Sequence, residues 1–123
     1  MKYLGVDFGL KRVGLARSEG QLASPWKVIA DSSFDNLLQQ LQKEASLFDK
    51  IVIGLPEGKM GKLVKRLVKL LRASGFEVVE ADETLSSQIA SSRMIELGIP
   101  RQKRAVNDAY SAAIILQNYL DSI

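Results

Sequence analysis

Two residue types are missing altogether from this 123-residue sequence, cysteine and histidine. Without cysteine there is no disulfide frame, thiolate metal site or thiol nucleophile. Without histidine, Ser-His-Asp and Cys-His catalysis and imidazole zinc sites are also excluded. Any chemistry must therefore use carboxylates, lysines, hydroxyls, backbone amides or a bound metal ion. No apolar run is long enough to cross a bilayer, so no membrane association is expected. Met1 to Val6 reads as a strand rather than as a removable leader, and the lack of cysteine is compatible with the cytoplasm.

What is present is ordinary globular material. About half the residues are hydrophobic (46%) and 25% are charged, which argues against disorder. The length suits one domain, expected over residues 1–123. The net charge of +3 leans gently toward a polyanionic partner.

Hydrophobic periodicity gives the order of elements. Tyr3 to Phe8, Val13 to Ala16 and Ser24 to Ala30 read as three short strands with tight links, an antiparallel meander. Pro25 places the third at a strand start or sheet edge. Phe34, Leu37, Leu38, Leu41, Ala45 and Phe48 then recur at helical spacing behind the capping candidates Asp31-Ser32-Ser33. Ile51 to Gly54 is a short buried strand, and Leu63, Val64, Leu67, Val68 and Leu71 mark a second helix ending near Gly75. Phe76 to Ala81 is a fifth strand. A third helix is expected from about Ser86 to Glu96, stopped by Gly98 and Pro100. A basic loop from Ile99 to Arg104 leads to a last helix over about Val106 to Tyr119. The pattern βββαβαβαα predicts an α/β fold, a mixed five-stranded sheet of three antiparallel strands and then βα units, flanked by helices.

Against that frame, acids fall at telling places. Asp7 ends the first strand, Asp82-Glu83 follows the fifth, and Asp108 lies in the first turn of the last helix. If the first strand is central, these strand ends and the helix start converge on one edge, where open sheets place their sites. Each acid has a plain structural reading too, in a turn or at a helix N-terminus; convergence is what favours a joint role. Clustered carboxylates repel and raise one another's pKa values unless a cation joins them. Hard oxygen donors without His or Cys suit one or two Mg²⁺ or Mn²⁺ ions, which activate water against a phosphodiester.

The glycine-rich segments are less specific. Gly5-Val6-Asp7-Phe8-Gly9 precedes a strand rather than a helix, so it is not a dinucleotide fingerprint. Gly54 to Lys62 lacks the Walker spacing but can offer backbone amides at a helix start. Basic residues form two groups. Lys62, Lys65, Arg66, Lys69 and Arg72 make a stripe on the second helix, read as a solvated face. Arg101, Lys103 and Arg104 precede Asp108 and suit a phosphate backbone. Trp26 and Tyr110 are read as packing residues first and as base-stacking platforms second.

Four segments in order carry a family resemblance over nearly the whole chain: Gly5-Val6-Asp7-Phe8-Gly9 with Arg12-Val13-Gly14-Leu15-Ala16, Ile53-Gly54-Leu55-Pro56, Asp82-Glu83-Thr84-Leu85-Ser86, and Asp108 through Leu120. In these the sequence resembles the YqgF family of pre-16S rRNA nucleases, also described as Holliday-junction-resolvase-like. The resemblance implies an RNase H-like fold and a metal-dependent nuclease whose three acids fall on Asp7, Glu83 and Asp108. It implies a cytoplasmic enzyme processing the 5′ end of precursor 16S rRNA, with branched-DNA cleavage as an alternative activity. Lys11 and Arg12, in the turn after the first acid, join Arg101, Lys103 and Arg104 as expected nucleic-acid contacts. The chain departs from the family pattern in having Thr84 where arginine is usual, so a phosphate contact from that arginine is either lost or supplied elsewhere, with Arg12 and Arg93 as the candidates. It also departs in Glu57-Gly58-Lys59-Met60-Gly61, where Asn and Asp are usual. A non-catalytic RNA-binding assembly factor, keeping the basic surface without needing the acids, is the competing class. An actin-like ATPase is disfavoured, since that fold needs two such domains. Either a monomer or a homodimer is compatible with the sequence.

Overall fold

The computed structural model describes residues 1–82 and 104–123. The expected helix over 86–96, Glu83, Arg93, Arg101 and Lys103 lie outside the described residues.

Three β-branched or apolar runs open the chain as β1 (Tyr3–Phe8), β2 (Arg12–Ser18) and β3 (Ser24–Ala30), each antiparallel to the one before. Helix α1 (Phe34–Ala45), strand β4 (Lys50–Leu55), helix α2 (Lys59–Ala73) and strand β5 (Val78–Asp82) follow, and helix α3 (Arg104–Ser122) closes the chain. β4 pairs with β1 in parallel and β5 with β4 in parallel, giving the sheet order β3-β2-β1-β4-β5. The first strand is therefore central. Pro25 sits on the edge strand where the β2–β3 register shifts beside Leu15 and Ala16, so its missing N–H interrupts no central ladder.

Strand alternation divides the core in two. Leu4, Val6, Phe8, Val13, Leu15, Ile51 and Ile53 face α1 and α2, which bury Leu37, Leu41, Val64, Leu67 and Leu71 against them. The opposite face presents smaller residues, with Ala16 and Val52 packing against Ala112, Ile115 and Leu116 of α3. Its central strands let the helix come very close. A Cβ on Gly5 would lie 2.8 Å from the Ala112 carbonyl oxygen, and one on Gly14 would lie 2.0 Å from that of Asp108. Glycine is required at both positions because the helix backbone occupies the space of a side chain.

Two boundaries differ from the sequence expectation. Strand β5 runs two residues later at its start and includes Asp82, because its ladder with β4 continues to the Leu55–Asp82 pair. Helix α3 already includes Arg104, two residues before the expected start, so Asp108 lies beyond its first turn.

Candidate functional site

The parallel pairing of β1, β4 and β5 sends their carboxyl ends to one edge of the sheet, and the two antiparallel pairings bring the start of β2 and the end of β3 to the same edge. Asp7 is the penultimate residue of β1 and shares the α3 side of the sheet with Gly5, two residues away. Its partner across the β1–β2 ladder is Gly14. Gly14 is also the residue on which the Asp108 backbone rests. One glycine thus sets both carboxylates: it faces Asp7 across the ladder, about 4.5–5.5 Å between Cα atoms in such pairs, and it seats Asp108 above.

Arg12 completes the cluster. The β1–β2 turn is closed by the Gly9 N–H donating to the Arg12 carbonyl at 3.0 Å, which places Arg12 at the start of β2 on the same edge. Its Nε lies 3.0 Å from Oδ2 of Asp108, with the two side chains 40% and 25% exposed. At that exposure the pair is partly screened, so its role is to offset the acid's charge more than to hold the fold together. Lys11 is exposed in the turn itself, and its carbonyl accepts from the Asp31 N–H at 3.0 Å, tying the turn to the end of β3.

Asp7, Asp108, Arg12 and Lys11 are thus brought to one edge. Asp82 reaches the same edge as the last residue of β5. Arg104 opens α3. Among the described residues no group of three or more carboxylates is gathered closely enough to hold a metal ion; Asp7 and Asp108 supply two carboxylates, both hard oxygen donors of the kind that Mg²⁺ and Mn²⁺ take.

Sequence reasoning did not single out Gly14 or the Arg12–Asp108 pair. The signal for the first was there: a glycine inside a strand marks a close backbone approach. The second had none, because only the folded chain carries residue 12 to residue 108. Trp26 is half-buried against Phe48, ring centroids 5.6 Å apart, and Lys27 Nζ stands 4.4 Å over its ring. It acts as a packing residue of the α1 side.

Residues 1–122 match the family model described as RuvX, Holliday junction resolvase. Candidate pre-16S rRNA nucleases are similar over full length: that of Maridesulfovibrio salexigens is 39% identical, covering 98% of both chains. That of Bacillus cytotoxicus is 36% identical over 99% of both, and that of Tropheryma whipplei 35% identical over 97% of this chain and 86% of its own. Among solved structures, the Thermus thermophilus RuvC bound to a Holliday junction superposes with a TM-score of 0.60 at 14% identity, covering 99% of this chain and 95% of its own. The fowlpox virus resolvase with its junction DNA gives 0.64 at 12%, covering 99% and 98%. At such identities the structural likeness speaks for the fold, which is RNase H-like.

Proposed function

The chain belongs to the RuvX family of Holliday junction resolvases and pre-16S rRNA nucleases, and from that premise we propose that it hydrolyses phosphodiesters of precursor 16S rRNA in the cytoplasm, at a divalent-metal site formed by Asp7, Glu83 and Asp108. That it is a nuclease follows from the family. The substrate, the ligands and the metal are the proposal.

The observation that carries it is the seating of Asp108 on Gly14, the ladder partner of Asp7. Two carboxylates drawn from positions about a hundred residues apart share one sheet edge, and the adjoining strand β5 ends one residue before Glu83. The donor set is all oxygen, which fits Mg²⁺ or Mn²⁺. When bound, such a cation supplies Lewis acidity at the phosphodiester and a polarised water.

The chain's own residues do the rest. Asp7, fixed by the central strand, cannot move away from its neighbour without breaking the β1–β2 ladder, so the site is preorganised. Arg12 holds the Asp108 carboxylate in place and stands where a scissile phosphate would be held, with Lys11 exposed beside it. Arg101, Lys103 and Arg104 are assigned to the flanking backbone. Their contribution is electrostatic and independent of sequence.

Branched DNA is a second reading, favoured by the family's description as Holliday junction resolvases and by the two junction-bound structural neighbours. A symmetric dimer would place two sites on opposed strands. Purified wild type and Asp7→Asn, given precursor 16S rRNA, single strands and a four-way junction with Mg²⁺, Mn²⁺ or chelator, separate the readings. The expected result is metal-dependent cutting of the rRNA precursor, reduced at least a hundred-fold, on the order of the loss of a key electrostatic group, in a variant that folds normally. Full activity in Asp7→Asn would overturn the assignment, and preferential junction cutting would transfer it to branched DNA.

A further inference from the structure

Helix α2 carries the whole excess positive charge of the protein. Its fifteen residues include Lys59, Lys62, Lys65, Arg66, Lys69 and Arg72 and not one Asp or Glu. The rest of the chain holds eleven Lys and Arg against fourteen Asp and Glu, a net charge of −3. The neighbouring helix α1 shows the usual mixture, Asp35 and Glu44 with Lys43.

The distribution is costly, and among the described residues no carboxylate compensates it. At 100° per residue the six cations fall within about 140° of the circumference, along about 20 Å of helix. Spacings of three and four residues set them side by side, an arrangement that destabilises a helix. Lys59 and Lys62 stand at the positive end of the helix dipole, where acids are favoured, and the first turn has none. All six are exposed, and among the described residues none is ion-paired with a carboxylate. Arg72 donates to the Val78 carbonyl at 2.9 Å and Arg66 lies 5.5 Å over the Phe34 ring, whereas among the described residues the lysines have no such contacts.

The stripe also begins at the sheet edge to which β1 and β4 carry their carboxyl ends. Strand β4 delivers the chain to the active edge, and α2 starts four residues later, after Gly58 turns with φ 74°. Arg66 stands on Phe34, whose ring centroid is 5.8 Å from that of Phe8, the residue after Asp7. Leu63 shares a surface depression with Leu10 and Lys11 of the β1–β2 turn.

We infer that the exposed face of α2 is a second binding surface, which grips the phosphate backbone of the nucleic acid as it leaves the cleavage edge. The inference rests on the nucleic-acid reading above and extends its footprint to a face of the sheet opposite α3. A phosphate backbone is the occupant that fits: it supplies closely spaced anions along the length of the stripe and neutralises every repulsion in it. An anionic membrane fits poorly, because Val64, Leu67, Val68 and Leu71 are already buried in the core and α2 has no apolar side left to insert.

The test is binding of a DNA duplex of about 30 base pairs, long enough to pass the edge and cover α2, measured by anisotropy in chelator from 50 to 200 mM salt. Lys62→Gln/Lys65→Gln/Lys69→Gln is compared with wild type and with Lys2→Gln/Arg17→Gln/Lys43→Gln, which removes equal charge from exposed positions at the opposite edge. Loss of three phosphate contacts reduces the slope of log affinity against log salt by about 2.7, so the affinity lost across that salt range shrinks by about 40-fold. The α2 variant is expected to show this and the control is not, with thermal unfolding of the α2 variant unchanged or raised. Equal slopes in the two variants, or binding of phosphatidylglycerol vesicles with no change in duplex binding, would overturn the inference. Metal-dependent cleavage of a short single strand is read in parallel. If wild type cuts but the slopes are equal, α2 loses its role and the nuclease reading stands; if the slopes differ but nothing is cut, the reverse holds.

Discussion

At the scale of single residues, Gly14 does more for the site than any charged group. A methyl there would stand 2.0 Å from the Asp108 carbonyl oxygen, and the neighbour is helix backbone that cannot rotate aside. Gly14→Ala is expected to cost about 3 kcal/mol or more, at the upper end of overpacking, and to reduce cleavage further by lifting Asp108 away from Asp7. Denaturant unfolding and cleavage rate measure the two effects. Gly20→Ala meets nothing within 4 Å and serves as the control, expected to stay within about 0.5 kcal/mol of wild type. The places of Asp7 and Asp82 were legible in the sequence because each lies at the end of a recognisable strand. The glycine's role was less so, since its meaning depends on what packs above it.

At the scale of elements, periodicity carried most of the reading. Alternation in β1 and the three-and-four spacing of α1 and α2 each place apolar atoms on one side, and the folded elements bury those sides. Helix α1 starts where its capping candidates predict: Ser33 is the N-cap and accepts from the Asn36 N–H at 3.4 Å, while Asp31 accepts from the Ser33 N–H at 3.0 Å. The capping bond is long, so Ser33→Ala should cost about 0.5 kcal/mol, the low end of the N-cap range, in equilibrium unfolding; a loss above about 2 kcal/mol would show that the hydroxyl does more than cap. The β5 boundary moved because a strand runs only as far as its ladder with a partner, which is not a property of the segment alone. The basic, acid-free stripe on α2 was visible in the sequence as a face, but its weight was not: only its solvent exposure and its place at the sheet edge where β1 and β4 end distinguish it from an ordinary solvated side.

At the scale of the whole molecule, the fold brings Asp7 and Asp108 to one sheet edge, where the proposed cation would bind. Asp7 and Asp108 are held at one edge with Arg12 as partial compensation. Mg²⁺ or Mn²⁺ that binds the folded state alone should therefore raise its stability, by about 2.7 kcal/mol at a hundred times the dissociation constant. Thermal unfolding against metal concentration is the measurement. Wild type is expected to shift upward and Asp108→Asn to shift little; equal shifts in both would remove Asp108 from the ligand set.

The sequence by itself determined the chemistry available to this protein. The absence of His and Cys leaves oxygen and ammonium groups, and the order of strands and helices follows from local periodicity, which depends on neighbours three or four residues away. Tertiary structure alone decided which groups meet. Placing residue 12 against residue 108, and residue 108 over the ladder partner of Asp7, needs β1 at the centre of the sheet and a helix seated on Gly14. Those are contacts between distant parts of the chain, fixed by how two faces of one sheet are buried, and no local pattern encodes them.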